Sequence, residues 1–473
     1  MSDLKPKKKF KLFSVILTVI CVVFVAEAAA PVAAIGNSQY FWWIFLMITF
    51  LLPYGLIASE LGTTYEGEGG IYDWVTKAFG HRMGTRTAWY YWINFPLWMA
   101  SLAVICPELI RIVTGQTPNT FVSILIELIF IWVIVFISFY SVSDSIWILN
   151  GAAFIKVFLA LLVGCLGIYV AVTHGVANEY TAASLLPSFD MKSLSFISVI
   201  LFNFLGFEVV CTFAPDMENP KKQIPLAIVT GGLVIAAIYI FSAFGIGVAI
   251  PTSEISTSSG LIDSIQLMLG KSGGPLVAIV AFLFLLTLFG NMVSWSLGVN
   301  NTACYAAENG DMPSVFAKRS AKTDMPIGAA IMNGVVASAI VIIAPLLPNE
   351  DLFWSFFALN LVMFLLSYIP IFPAFLKLRK IDPDTERPFK VGGGKAFHYL
   401  LVTLPILLIV TSLIFIAVPF DFSSETLSEV LPITIGSIVC IIVGELIIIF
   451  KKIKGKLQVQ VSHPDKPVSA CCN

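Results

Sequence analysis

Apolar residues in this chain form long runs and not short alternating stretches. Twelve such runs lie near residues 13–36, 40–62, 86–109, 120–141, 147–173, 193–215, 225–250, 274–304, 326–347, 352–376, 397–419 and 428–450. A bilayer core of about 30 Å is crossed by about 20 apolar residues in an α-helix. The pattern therefore predicts an all-α membrane protein with twelve transmembrane helices. Glycine and proline recur inside the runs, as membrane helices tolerate. The polar connections are short, the largest being 174–192, 251–273, 305–325 and 377–396. Residues 1–12 read as an N-terminal segment, 13–450 as one twelve-helix domain and 451–473 as a tail, polar and disordered from 457 onward. The basic stretch before the first run superficially resembles a signal peptide. No small-residue cleavage site leads into a soluble domain, so the first run is expected to stay as a membrane helix.

Composition agrees with that pattern. Of 473 residues, 58% are hydrophobic and 12% charged, where a soluble protein has about 45–50% and about 25%. A soluble enzyme of this length is excluded. A net charge of -1 gives no sign of nucleic-acid binding. The placement of charge is more telling than its sum. Of the 28 Lys and Arg residues, 24 fall on the side of the N-terminus. Arg111, Lys192 and Lys271 fall on the other side, and Lys156 lies within a span. Positive loops stay inside, so both termini are expected in the cytoplasm and the bilayer is the partner of the whole chain. The eight cysteines show no CxxC spacing and the four histidines are scattered, so no metal, disulfide framework or cofactor is predicted. The sequence holds no HExxH motif that would suggest an intramembrane metalloenzyme.

Ionisable residues inside spans are costly and mark candidate chemistry. Glu27, Lys156 and Glu208 each interrupt a nearly uncharged run, whereas Glu60, Glu108, Glu127 and Glu445 fall nearer span ends, where water is closer. Glu27 is followed four residues later by Pro31, which cannot donate a hydrogen bond to the carbonyl of residue 27, so the first helix is weakened there. A carboxylate beside such a break suits a cation. The alternative is a protonated carboxyl bonded to a neighbouring helix. Glu208 follows Gly206 and precedes Pro215, a broken-helix context that fits either function or a structural staple. Lys156 either snorkels to the inner interface or faces the bundle, where it would exchange a proton or replace a structural cation. Trp295 has Asn291, Ser294, Ser296, Asn300 and Asn301 around it in sequence, which predicts an interior-facing helix.

Four motifs then resemble one transporter superfamily, the amino acid/polyamine/organocation carriers. EGEGGIYDWVTKAFG (66–80) is similar to its PGGxYxYxxxxFG signature, with Glu68 in place of proline and Trp74 in place of the second tyrosine. FNFLGFE followed by MENPKKQIPLA (202–227), WSLGVNNTACYAAENGDMP (295–313) and RPFKVGGG (387–394) follow in order. The resemblance implies a LeuT-type fold: inverted repeats of five helices each, about 13–173 and 193–376, with helices 1 and 6 broken at the midplane, plus helices 11 and 12. It implies alternating access and allows a homodimer. In the arginine/agmatine branch, Phe202 matches a stacking aromatic, Trp295 a tryptophan near the site, Tyr91 a gating tyrosine and Glu208 a glutamate tied to gating and proton sensitivity. Lys156 matches a lysine found in proton-coupled members and in exchangers.

One departure sharpens the expected substrate. Amino-acid carriers of this kind usually break helix 1 at Gly-Ser/Ala-Gly, whose bare N–H groups hold a carboxylate. Here the region reads FVAEAAAP, from Phe24 to Pro31. A carboxylate placed near Glu27 would be repelled and an ammonium or guanidinium attracted. The expected function is a plasma-membrane antiporter of cationic amines such as putrescine or agmatine, or of basic amino acids. Glu27, Ala28, Tyr91, Phe202, Glu208, Asn291 and Trp295 are its candidate substrate-binding residues, and Lys156 and Glu208 its candidates for proton coupling. The alternatives are a proton-coupled symporter of neutral amino acids and a non-transporting membrane sensor.

Overall fold

The computed structural model describes residues 11–65, 67, 69–140, 142–209, 211, 217–270, 274–346, 351–420 and 422–462. Every regular element among them is helical. In chain order these are α1 (Leu12–Val23), α2 (Ala29–Ala33), α3 (Gln39–Leu46), α4 (Leu52–Thr64), α5 (Ile71–Phe79), α6 (His81–Ala103), α7 (Cys106–Thr114), α8 (Thr120–Ile137), α9 (Val142–Thr173), α10 (Met191–Asn203), α11 (Pro220–Ala249), α12 (Gly260–Leu269), α13 (Gly274–Glu308), α14 (Ile327–Ile343), α15 (Leu352–Tyr368), α16 (Ile371–Ile381), α17 (Lys395–Ala417) and α18 (Ser424–Ser462). Short 3₁₀ turns join some of them, and a π-helical turn, Met47–Leu51, joins α3 to α4.

Among the described residues, ten stretches are helical, long and apolar enough to cross a membrane. They correspond to ten of the twelve runs read from the sequence. In the remaining two, 13–36 and 193–215, the first helix stops after 12 and 13 residues, too short to cross. In the first, α1 stops at Val23, Phe24 and Val25 are extended, and a 3₁₀ turn over Ala26–Ala28 leads into α2. The break thus falls beside Glu27, and Pro31 sits inside α2. In the second, α10 stops at Asn203 and the chain turns through Gly206 at φ +95°. A Cβ there would lie 2.7 Å from the Trp295 ring, so both the backbone angle and the close approach need glycine. Pro215, which was expected to end this helix, lies outside the described residues.

An interrupted helix leaves backbone groups without intrahelical partners, and in an apolar interior each must find another. Side chains from distant elements supply them. Tyr239 of α11 accepts from Val25 N–H at 2.8 Å and donates to Val25 O at 3.2 Å. The Lys156 ammonium of α9 donates to Phe24 O at 2.8 Å, and the Trp295 indole of α13 donates to Val22 O at 2.5 Å. At the second break, Gly206 N–H donates to the Tyr368 hydroxyl at 3.1 Å. The breaks are therefore built into the packing of the bundle.

Other differences from the sequence reading are local. The connection 251–273 carries a helix of its own, α12. The helix α18 continues through Ser462, so 457–462 is helical backbone where a disordered tail was expected. The remainder of that tail, and Glu66 and Glu68 of the first motif, lie outside the described residues.

Candidate functional site

The three charged residues singled out inside the runs are all buried. Glu27 is 2% exposed, Lys156 0% and Glu208 1%. Lys156 does not snorkel. α9 begins at Val142, and the lysine's ammonium is turned to the first break.

Around Glu27 the bonds form a chain. The Lys156 ammonium donates to Asn291 Oδ1 at 2.8 Å. Asn291 Nδ2 donates to Glu27 Oε1 at 3.0 Å. Glu27 Oε2 is buried with no bond of standard hydrogen-bond geometry, and the donors that lie towards the carboxyl are its own backbone N–H and the Trp98 indole. Leaving a carboxylate oxygen unbonded in such a place is costly, and the nearby lysine charge offsets only part of it. An ammonium or guanidinium brought to Oε2 would supply the missing donor and the opposite charge.

Beside this carboxylate four rings meet in a closed cycle. Trp98 packs edge-on against Phe202 at 5.3 Å and against Trp295 at 5.4 Å. Phe364 closes the cycle, 5.4 Å from Phe202 and 5.3 Å from Trp295. The Trp295 N–H is committed to Val22 O, while the Trp98 N–H is buried without a bond of standard geometry. Such rings offer a cation their electron-rich faces, worth about 0.5–2 kcal/mol per contact. Phe202 and Trp295 were expected here. Trp98 and Phe364 were not, although Trp98 stands two turns after Tyr91 on α6, a spacing that puts both on one face. Ala28 lies buried in the 3₁₀ turn beside Glu27.

Glu208 has the opposite environment. Its Oε1 accepts from the hydroxyls of Tyr91 at 2.9 Å and Tyr368 at 2.5 Å. Its Oε2 accepts from the hydroxyl of Tyr54, which also accepts weakly from the Glu208 N–H at 3.4 Å. Three helices, α4, α6 and α15, thus converge on one carboxylate at the second break. Tyr91 was expected as a gate. Tyr54 and Tyr368 went unnoticed in the sequence.

The remaining motifs serve the far end of α4. Glu60, expected near water at a span end, is buried. Arg379 of α16 grips it through both oxygens, with Nε to Oε1 at 2.7 Å and a second bond from Nη2 to Oε2. From the RPFKVGGG segment, Arg387 Nε lies 3.4 Å from Oε1 and Val391 N–H donates to Oε2 at 2.7 Å. Tyr65 donates to Asp382 alongside, at 2.8 Å. Burial and that bond push the Tyr65 phenol up to about 12. Bonds from Thr385 and Tyr65 hold the Asp382 carboxyl below the usual range. The pair keeps its donor and acceptor roles at neutral pH. In the first motif, Tyr72 and His81 both meet the buried Asp311, at 2.6 and 2.7 Å, and Gly69 passes so close to Tyr305 that a Cβ would lie 2.8 Å from its ring. These motifs join loops to helices and take no part in the site around Glu27. Among the described residues no group of three or more His, Cys, Asp or Glu could hold a metal ion.

Ten apolar helices, two interrupted runs and a buried carboxylate with an unmet acceptor define a multi-pass membrane protein arranged around a small polar site. The chain belongs to the amino acid permease family, whose profile matches residues 10–444. It is 69% identical over 458 residues, 97% of each chain, to a protein of Lactococcus lactis subsp. lactis (strain IL1403) named as a probable agmatine/putrescine antiporter, AguD. It is 27% identical to an uncharacterized transporter of Legionella pneumophila, covering 86% of this chain and 89% of the other. A glutamate/gamma-aminobutyrate antiporter of Lactococcus lactis is 24% identical, with 87% and 84% covered.

Proposed function

We infer that this chain is an antiporter of cationic amines, with agmatine and putrescine as its substrates. The observation that carries the reading is the buried Glu27 oxygen without a bond of standard geometry, set beside the cycle of Trp98, Phe202, Phe364 and Trp295. A primary ammonium satisfies that oxygen and the methylene chain of a diamine suits the rings. The 69% identical relative, named for the same two amines, supports the choice. The proposed site comprises Glu27 and Ala28 at the first break, Phe202 and Trp295 as expected from the sequence, and Trp98 and Phe364 added by the structure. Glu208 and Tyr91 act as a closure beside the site, not as contacts to the amine.

The proposed setting is a twelve-helix LeuT-type arrangement, in which the interrupted α1–α2 and α10 regions are helices 1 and 6 of two inverted repeats, about 13–173 and 193–376. Both termini face the cytoplasm of a plasma-membrane protein, and the Glu60 cluster closes the inner face. Lys156 holds the first break in place of carrying a proton. Counterflow tests the reading directly. Proteoliposomes loaded with putrescine should accumulate labelled agmatine, and those loaded with glutamate or left empty should not. Equal uptake with glutamate inside, or uptake of a neutral amino acid untouched by excess putrescine, would overturn it.

A further inference from the structure

We propose that Asn291 is a positioning residue that decides which oxygen of Glu27 is offered to the amine, and that Lys156 acts on substrate recognition through it. The inference rests on Glu27 as the anchor of the amine. An ammonium has donors only. With the Lys156 ammonium 2.8 Å away, the Asn291 amide must turn its oxygen towards it. Its NH₂ group then faces Glu27 and occupies Oε1 at 3.0 Å. A reversed amide would set donor against donor at Lys156 and acceptor against acceptor at Glu27. The chain therefore has one polarity, and it leaves Oε2 as the carboxylate oxygen without a bond of standard geometry. The same ammonium holds Phe24 O, at the residue where the first helix opens. One cation thus fixes both the backbone of the break and the orientation of the carboxylate three residues later. Asn291 supports the site without touching the substrate, unlike the contact role its sequence position suggested.

The isosteric Asn291→Asp separates this role from packing. It keeps the shape and an acceptor for Lys156 but replaces the fixed NH₂ donor with a second carboxyl oxygen against Glu27, which must repel it or share a proton with it. In agmatine/putrescine counterflow with the full-length protein in proteoliposomes, the variant should raise the KM for agmatine about tenfold or more, the size of a lost charged hydrogen bond, with kcat within about threefold. In a Glu27→Gln background the same change should raise KM less than about twofold further, because residues acting through one another are not additive. Asn291→Leu, similar in size and without polar atoms, carries the same cycle if the aspartate variant fails to reach the membrane. An unchanged KM in the single variants, or losses that multiply in the double variants, would overturn the inference while wild-type exchange leaves the function standing. A wild-type protein that exchanges neither amine would instead remove Glu27 as an anchor, and this inference with it.

Discussion

Two glutamates sit beside two interrupted runs of the same bundle, both buried, and they are treated in opposite ways. Glu27 keeps one oxygen bonded and one without a bond of standard geometry. Glu208 receives three tyrosine hydroxyls from three helices. A carboxylate whose acceptors are filled by the protein has nothing left for a cation, whereas one held by half its capacity is prepared for it. Charge and depth do not tell these cases apart. What differs is the supply of donors, which comes from residues more than a hundred positions away in the chain.

The widest separation between the two should come from removing charge at each. Glu27→Gln should weaken agmatine affinity about ten- to hundredfold, the cost of about 1.5–3 kcal/mol for a buried charged hydrogen bond, while the protein still reaches the membrane. Competition binding in detergent measures this, and unchanged affinity for every amine tested would take Glu27 out of the site. Trp295→Ala should come next, with agmatine uptake falling about tenfold as a ring face and the bond to Val22 O are both lost. Trp295→Phe keeps a ring face and should retain part of that uptake. Alanine that transports as well as tryptophan would reduce the ring to packing.

Glu208→Gln should act on turnover more than on affinity. The amide can still accept from some of the tyrosines, so kcat is expected to fall a few-fold with KM changed less than about threefold. A loss of affinity equal to that of Glu27→Gln would erase the distinction between the two sites. The smallest effect belongs to Tyr54→Phe, which removes one of three donors and should cost about 1 kcal/mol of stability, read as a small drop in melting temperature with amine affinity intact.

Much of this was legible in advance for a physical reason. A charge within a long apolar run stands out, so Glu27, Lys156 and Glu208 could be picked from the sequence, as could the runs themselves. Trp98, Phe364, Tyr54 and Tyr368 could not. Aromatic residues make up 13% of the chain, and against that background none of the four shows contrast. The first break lies beside Glu27, but what holds it open was not legible. Pro31 weakens the helix locally, but the chain opens at Phe24 and Val25 because Tyr239 and Lys156 are there to take their backbone groups. Glu60 was misread, since its two arginines come from a segment more than 300 residues further along.

Trp295 touches both interruptions at once. Its N–H holds the last turn of α1 through Val22 O, and its ring lies where a side chain at residue 206 would have to go. A displacement of either interruption therefore strains or releases the other through a single indole. Two hinges pinned by one bolt share one degree of freedom. The α1 segment and the bend after α10 should swing in step, and a conformer with only one of them opened should be scarce during the transport cycle.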